Sequence, residues 1–302
     1  MRLLFLCAAV LVFCATPALA QGRSAGKTDV VHTCMRNVVY HYTPSIAVHI
    51  VELSGWLTPA AGHGLVFFDD NRSFVLHIAA ADMSISTEAM THILNEYIFA
   101  APDAPLKALS ISANGRTLKI TGKLHSHGDI PFEDEGVLSL TPRGEIRIHS
   151  TRVKAAHLPV KTLMSLLGIH ISGLISHKKV RGVRAEKDDL LLNPEEILPL
   201  PRIQGRLTSV EVAGNAIVEH FGGRVPGLAP GNYMDYRGGR FRFGKLTMND
   251  ADMELIDMDQ RDPFDFYLAR YKEQLVAGYT KTTSSFGLRV FMPDYDKLPR
   301  KK

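Results

Sequence analysis

Residues 86–100, "STEAMTHILNEYIFA", decide the fold that this sequence predicts. Their apolar residues recur at the spacing of one helical face, and the polar residues occupy the other side. Ser86 is predicted to cap the start of the helix, and Pro102 helps to stop it. The apolar face consists of Met90, Ile93, Leu94, Tyr97 and Ile98.

Amphipathic strands dominate the chain around this helix, up to about residue 220. Asn114 and Gly115 form a strong hairpin signal between strands predicted at 106–112 and 117–124. Side chains alternate along a strand, so Leu118, Ile120 and Leu124 are predicted to face inward. We predict an α+β fold, in which a strongly bent antiparallel sheet wraps around one long amphipathic helix. An incomplete wrap would leave an apolar groove that suits acyl chains.

Three further helical segments are predicted. Residues 158–168 resemble a short helix, and residues 192–201 a single helical turn that prolines close. A third helix is predicted to begin at Asp262 and Pro263 and to end at Gly278, with a stripe of large apolar side chains. That stripe consists of Phe264, Leu268, Tyr271 and Leu275.

The first twenty residues have the pattern of a signal peptide. Arg2 precedes an apolar run at 3–13, and residues 18–20, Ala-Leu-Ala, fit a cleavage site before Gln21. The alternative is an uncleaved N-terminal anchor. A periplasmic or secreted location is predicted. The domain prediction is a signal peptide at 1–20, a lipid-binding-like domain at 21–222 and an aromatic-rich C-terminal extension at 223–302.

Composition narrows the possible functions. Residues 1–20 carry one basic and no acidic residue, so the remaining chain has a formal charge of +3, which offers no general case for nucleic acid binding. Cys34 is the only cysteine after residue 20, so no disulfide can form within the mature chain. An apolar core alone must therefore hold the fold.

Residues 122–133, "GKLHSHGDIPFE", raise the question of a metal site. His125, His127 and Asp129 match the opening of the binuclear zinc-hydrolase signature H-x-H-x-D-H, but position 130 is Ile. Strand alternation places both histidines on the outer face beside Lys123, whose charge opposes metal binding. Solvated histidines are the favoured interpretation, and a metal-dependent hydrolase remains the alternative.

No other enzyme motif is present. The sequence lacks a nucleophile elbow, a P-loop, a dinucleotide fingerprint and the H-E-x-x-H pattern. We therefore predict a protein that is not an enzyme and has no catalytic residues, cofactor or metal.

The C-terminal extension interleaves aromatic and basic residues. Arg237, Arg240, Arg242 and Lys245 lie among tyrosines and phenylalanines, which suits contact with anionic headgroups at a membrane surface. Single-stranded nucleic acid also fits such a pattern, but an exported protein would rarely meet it. The favoured interpretation is a second, aromatic core.

Five segments together resemble the bacterial branch of the tubular lipid-binding superfamily. They are "MSISTEAMTHILNEYIF" (83–99), "PLKALSISANGRTLKITGKL" (105–124), "GVLSLTPRGEIRI" (136–148), "LPVKTLMSLLG" (158–168) and "DDLLLNPEEILPLPRIQGRLTSVEVAGNAIVEHFG" (188–222). The resemblance covers about half the mature chain. It implies a long helix cradled by a bent sheet, an apolar cavity, and binding or transfer of phospholipid or a similar amphiphile. It supplies no catalytic residue.

By matching position, the resemblance makes eight side chains candidates for the groove lining. The function predicted is non-catalytic binding or transfer of phospholipid, or another hydrophobic ligand, in the bacterial envelope. The alternative is a structural or interaction module whose side chains fill a solid core. The candidates are Met90, Ile93, Leu94, Tyr97, Ile98, Leu118, Ile120 and Leu124.

Overall fold

The computed structural model describes residues 30–125, 129–156, 158–160, 181–186 and 189–299. Most of these residues lie in strands. The first eleven strands are β1 Val31–His41, β2 Ala47–Pro59, β3 Val66–Phe67, β4 Phe74–Ser86, β5 Leu106–Asn114, β6 Thr117–His125, β7 Asp129–Leu140, β8 Ile146–Ala155, β9 Leu158–Val160, β10 Val183–Glu186 and β11 Asp189–Leu192. The next ten are β12 Arg202–Gly205, β13 Leu207–Ala213, β14 Ala216–Gly222, β15 Tyr233–Gly238, β16 Phe241–Phe243, β17 Leu246–Met248, β18 Ala251–Asp257, β19 Phe264–Tyr267, β20 Tyr279–Thr282 and β21 Leu288–Met292.

Helical structure in the described residues is short. The helices are α1 Thr87–His92, a π-helical segment Ile93–Ile98, α2 Pro194–Ile197, a 3₁₀ turn Leu268–Arg270 and α3 Tyr271–Ala277. The prediction of an α+β fold around a long amphipathic helix is therefore wrong, because the protein is mostly β. The helical periodicity was local, and sheets supply most of the structure that buries the apolar faces.

The large sheet has eleven strands in the order β13-β14-β4-β2-β1-β15-β18-β21-β20. In addition, β12 pairs with β4 and β19 pairs with β1. Most neighbours are antiparallel, but β12–β4, β19–β1 and β18–β21 are parallel. The prediction of an antiparallel sheet is thus wrong for the large sheet, which is mixed.

The large sheet forks at β1. Residues 32–36 of β1 pair with β15, whereas residues 38–41 pair with β19. Asn37 lies at the fork and has a φ of 50°, in the left-handed region that asparagine tolerates better than most residues. Its amide nitrogen donates to the Asn232 side-chain oxygen at 2.8 Å, which ties the fork to the start of β15.

A second sheet of seven strands contains β10-β11-β8-β7-β6-β5, with β9 beside β8. The predicted hairpin at Asn114 and Gly115 joins β5 to β6, and Gly115 has the positive φ, 62°, that such a turn favours. Inward side chains of both sheets belong to one apolar core, as Leu53 and Leu118 illustrate with no exposed surface. The two sheets and the short helical segment therefore share one core, and the helix is not the single element that covers the sheets.

The α1 and π-helical segment lies against β5, which is an edge strand of the second sheet. Ser86 caps α1 as predicted, since its hydroxyl accepts from the Ala89 N–H. Asn95 then binds the strand edge: its Nδ2 donates to the Leu109 carbonyl at 2.7 Å, and its Oδ1 accepts from the Leu109 N–H at 2.9 Å. The Thr91 hydroxyl accepts from the Ile111 N–H at 2.9 Å. Polar residues of the helix thus replace a neighbouring strand along β5.

The predicted C-terminal helix is only partly present. Residues 264–267 form β19 instead, because this segment pairs with β1, and the α-helix begins at Tyr271. Gly278 follows the helix as predicted. The single turn predicted within 192–201 is α2, capped by the Asn193 side chain. The helix predicted at 158–168 begins in β9 instead, and the rest of it lies outside the described residues.

The aromatic residues of the C-terminal part form a buried cluster around Phe68. Five rings surround it at centroid distances of 5.3–5.9 Å. Those rings belong to Tyr236, Phe241, Phe243, Phe266 and Tyr271, and all five are buried. Most aromatic surface in this part therefore stabilises the fold. The third sheet, β17-β16-β3, carries two members of the cluster, Phe241 and Phe243, both on β16.

The domain division at residue 222 stays a prediction. Strands from both sides of this position belong to the large sheet, since β1 pairs with β15 and β19. The predicted signal peptide at 1–20 lies outside the described residues.

Candidate functional site

Seven of the eight predicted groove residues are buried. Their exposed fractions range from 0% for Ile93 and Leu118 to 5% for Ile98, Ile120 and Leu124. Tyr97 differs, because it is 41% exposed. The buried seven belong to the common apolar core, and the clefts described below are lined by other residues. Their role in ligand binding stays a prediction.

Two residues of the histidine-rich stretch lie at strand ends, since His125 ends β6 and Asp129 begins β7. His125 Nδ1 is 2.9 Å from Asp129 Oδ1, and both side chains are exposed. The exposure of His125 agrees with its predicted place on the outer face. His127 lies outside the described residues. Among the residues that are described, no group of three or more His, Cys, Asp or Glu side chains is arranged to hold a metal ion.

A cleft of about 420 Å³ lies on the outward face of the large sheet, across β15, β18 and β21. We call it the amphipathic cleft. Residues 229–232 and Gln260 form its rim. Strand register places Tyr233, Ile256 and Phe291 in one row along the floor. The row exists because alternate residues of neighbouring strands share a face.

A charged row runs beside the apolar row. Register aligns Asp235, Glu254 and Arg289 across the same three strands. Arg289 Nε lies 2.8 Å from Glu254 Oε2, and Arg237 Nη2 lies 2.8 Å from Glu254 Oε1. Arg237 Nε is also 2.6 Å from Asp235 Oδ1. Glu254 therefore joins two arginines, and the cleft presents both signs of charge next to apolar side chains.

Burial and hydrogen bonds position the rim of the cleft. The Asn232 N–H donates to Gln260 Oε1 at 2.9 Å, and Gln260 Nε2 donates to the Asp257 carbonyl at 2.7 Å. Asn232 Nδ2 donates to Asp257 Oδ2 at 3.1 Å. Because Asn232 is only 5% exposed and Asp257 only 2%, this network forms a rigid wall of the cleft.

The surroundings of the acidic groups at the cleft shift the pKa values of their carboxyl groups. Burial raises the pKa of the Asp235 carboxyl, and the Arg237 guanidinium opposes that shift. Burial also raises the pKa of Asp257 to about 6. The charged row can bind a zwitterionic group, since Arg289 offers cationic donors and Glu254 an anionic acceptor. The apolar row can bury hydrocarbon beside that group.

Two other clefts offer less complementary surfaces. One of about 640 Å³ lies between the β7–β8 turn and α2, and its lining is mostly polar side chains and main chain, including Arg143, Glu195 and Arg206. Another of about 420 Å³ contains Arg242, whose Cζ lies 5.5 Å from the centroid of the Phe67 ring. Neither combines a row of apolar side chains with paired charges, so the amphipathic cleft is the better candidate.

No family model, curated protein or solved structure matches this chain. The resemblance to the tubular lipid-binding superfamily therefore stays a prediction. Within the part of the chain that the structure describes, no helix is both long and apolar enough to cross a membrane.

The sequence analysis did not find the amphipathic cleft. The aromatic-rich C-terminal extension was predicted, but Tyr233 and Phe291 were not grouped with Ile256 or with Glu254 and Arg289. Charged and apolar residues alternate in "DMEL" (252–255), which was an available signal for a strand with one polar face, but Ile256 interrupts that pattern. The parallel pairing of β18 with β21 had no local signal, because it joins distant parts of the chain.

Proposed function

We propose that this protein binds an amphiphilic ligand, such as a phospholipid, at the amphipathic cleft and does not catalyse a reaction. The observation that supports the proposal is the row of Tyr233, Ile256 and Phe291 beside the row of Asp235, Glu254 and Arg289. A volume of about 420 Å³ falls within the roughly 300–1,000 Å³ common for small-molecule sites.

The proposed binding mode follows the two rows. Hydrocarbon near the headgroup lies against Ile256 and Phe291, where each buried methylene contributes about 0.8 kcal/mol. The phosphate of a zwitterionic headgroup pairs with Arg289, and its ammonium pairs with Glu254. Arg289 and Glu254 lie 2.8 Å apart and pair with each other in the free protein. Ligand binding would therefore replace this one ion pair by two.

The burial of the predicted groove residues favours an external site over an internal one. Met90, Ile93 and Leu118 have exposed fractions of 0–1% and pack in the common core. An acyl chain placed among them would have to separate packed side chains, which costs contact energy. The location in the bacterial envelope, and peripheral contact with its membrane, remain parts of the proposal that depend on the predicted signal peptide.

Lipid extraction and titration test this function. Organic extraction and native mass spectrometry of the purified protein are expected to reveal bound phospholipid. Titration with phosphatidylethanolamine that carries a fluorophore on one acyl chain, and so keeps its ammonium group, should then give saturable binding. Ile256→Asn is expected to weaken that binding about tenfold or more, because it removes apolar contact from the middle of the row.

Two matched variants control for general effects. Val51→Asn changes an apolar residue of the same sheet that is 45% exposed and lies outside the cleft, so binding should not change. Tyr97→Ala tests the groove predicted from sequence, and it should also leave binding unchanged. Loss of binding in Tyr97→Ala but not in Ile256→Asn would place the ligand at the helix and refute the cleft.

The two alternative functions predict different results in these experiments. Lipid-free preparations that also fail to bind the labelled lipid would favour the interaction module with a solid core. Stoichiometric zinc that is lost in the His125→Ala/His127→Ala double variant would favour the metal-dependent hydrolase.

A further inference from the structure

The strand β20 ends the large sheet and has a free edge. It pairs with β21, and no second strand among the described residues lies on its other side. All four of its residues are exposed, including Tyr279 at 45%. An edge of this kind presents main-chain N–H and C=O groups that an extended peptide can bind.

The register identifies which groups are available. The Thr283 N–H donates to the Gly287 carbonyl at 2.8 Å, so this position is a hydrogen-bonded pair of the β20–β21 hairpin. Bonded and non-bonded pairs alternate in an antiparallel ladder, so Lys281 also directs its main-chain groups toward β21. Thr280 and Thr282 direct theirs to the free edge, where they offer two donors and two acceptors.

The side chains of β20 indicate which charge would be favourable on a strand that is added at this edge. Lys281 Nζ lies 5.4 Å and 5.3 Å from the ring centroids of Tyr279 and Phe291, and no acidic group among the described residues pairs with it. Its cross-strand neighbour Arg289 is also cationic and pairs with Glu254. An acidic side chain on an added strand, opposite Lys281, would therefore be favourable.

The same charge disfavours a second copy of this chain. A two-fold antiparallel pairing that uses both Thr280 and Thr282 would place Lys281 directly opposite Lys281 of the second copy. Like charges at directly opposed positions are destabilising. Pairing of β20 with a second copy is thus less favourable than pairing with a segment that carries an acidic side chain.

We propose that β20 binds an extended segment of a partner protein, which adds to the large sheet and places an acidic side chain opposite Lys281. The main-chain groups of Thr280 and Thr282 bind the segment, and Lys281 selects its charge. The proposed strand addition uses the main-chain groups of Thr280 and Thr282, which do not line the amphipathic cleft, although Lys281 contacts Phe291 on the cleft floor. The inference therefore does not depend on lipid binding.

Peptide titration of the full mature chain tests the proposal by NMR. The probe is a capped heptapeptide of alternating threonine and valine with a central glutamate, compared with the same peptide carrying a central lysine. The glutamate peptide is expected to shift the amide signals of Thr280 and Thr282 and to bind about threefold more tightly. Lys281→Glu should reverse this preference.

Main-chain binding is tested by a matched pair of variants. Thr280→Pro removes an N–H that β21 does not use, so the hairpin should persist while peptide affinity falls about tenfold or more. Thr280→Val keeps the N–H and should bind as the unaltered protein does. Equal binding by Thr280→Pro, equal affinity for both peptides, or no binding at millimolar peptide would each overturn the proposal.

Sedimentation measurements test whether a second copy of this chain, and not a partner protein, occupies the edge of β20. The unaltered chain is expected to be free of dimers that depend on β20. A dimer that dissociates in Thr280→Pro would show that a second copy occupies the edge, and it would overturn the assignment to an acidic partner.

Discussion

At the scale of single residues, Glu219 is an unusual member of the core. It lies on the inward face of β14, between Val210 and Met83 in register, and is only 2% exposed. No described residue forms a hydrogen bond or ion pair with its carboxylate. Burial raises its pKa to about 7 from an ordinary 4.5. Burial and the nearby Glu219 also raise the pKa of the Tyr42 phenol.

The raised pKa of Glu219 predicts that stability falls as pH rises. Between pH 4.5 and about 7 the folded chain retains a proton that the unfolded chain releases. The stabilisation is complete below pH 4.5 and is lost as pH rises through about 7, by on the order of 3 kcal/mol. Urea unfolding across this range should show that loss, and Glu219→Gln should remove the part that belongs to Glu219 and leave the part that belongs to Asp257.

The control for Glu219 is an exposed glutamate on the neighbouring strand. Glu211→Gln on β13 should preserve the pH dependence, because that side chain is exposed in the folded protein. An unchanged pH profile in Glu219→Gln would refute the assignment of this stability change to Glu219.

At the scale of elements, the attachment of the short helix to β5 depends on Asn95. Its amide pairs with both main-chain groups of Leu109, at 2.7 Å and 2.9 Å, as another strand would. Asn95→Leu is expected to lower the free energy of unfolding by about 2–4 kcal/mol, because both groups would lose their partner. Hydrogen exchange of the Leu109 amide should accelerate in the same variant.

Glu88 provides the matched control on the same helix. Glu88→Leu changes an exposed residue of α1, and it should alter stability by less than about 1 kcal/mol. Equal destabilisation by both variants would mean that the helix, and not its attachment to the strand, is sensitive to substitution.

At the scale of the whole molecule, the C-terminal part completes the sheet that the N-terminal part begins. Met35 on β1 pairs with Met234 on β15, and Tyr40 pairs with Phe266 on β19. All four side chains are buried. The two predicted domains therefore share a core across residue 222.

This shared core predicts that residues 21–222 do not fold alone. Without β15 and β19, one edge of β1 and its buried side chains would be exposed to water. The free-energy cost of that exposure is large compared with a typical free energy of unfolding of about 5–15 kcal/mol. Circular dichroism and calorimetry should show one cooperative transition for residues 21–302 and none for 21–222. A cooperative transition in the shorter fragment would instead support the division into two domains.

Features that depend on neighbouring residues could be predicted from the sequence. The Ser86 cap, the turn at Asn114 and Gly115, and the inward positions of Leu118 and Ile120 all follow from bonds and alternation within a few residues. These predictions are confirmed because local chain geometry decides them. The apolar stripe of the helix is also buried, apart from Tyr97.

The tertiary structure alone decided which partner each element has. A stripe or an alternation shows that a face is buried, but it carries no information about the surface that covers it. Asn95 belongs to the polar side of the predicted helix, yet its amide binds the edge of β5. The amphipathic cleft likewise exists only because β15, β18 and β21 become neighbours across long stretches of chain, and such pairings depend on the packing of the entire core.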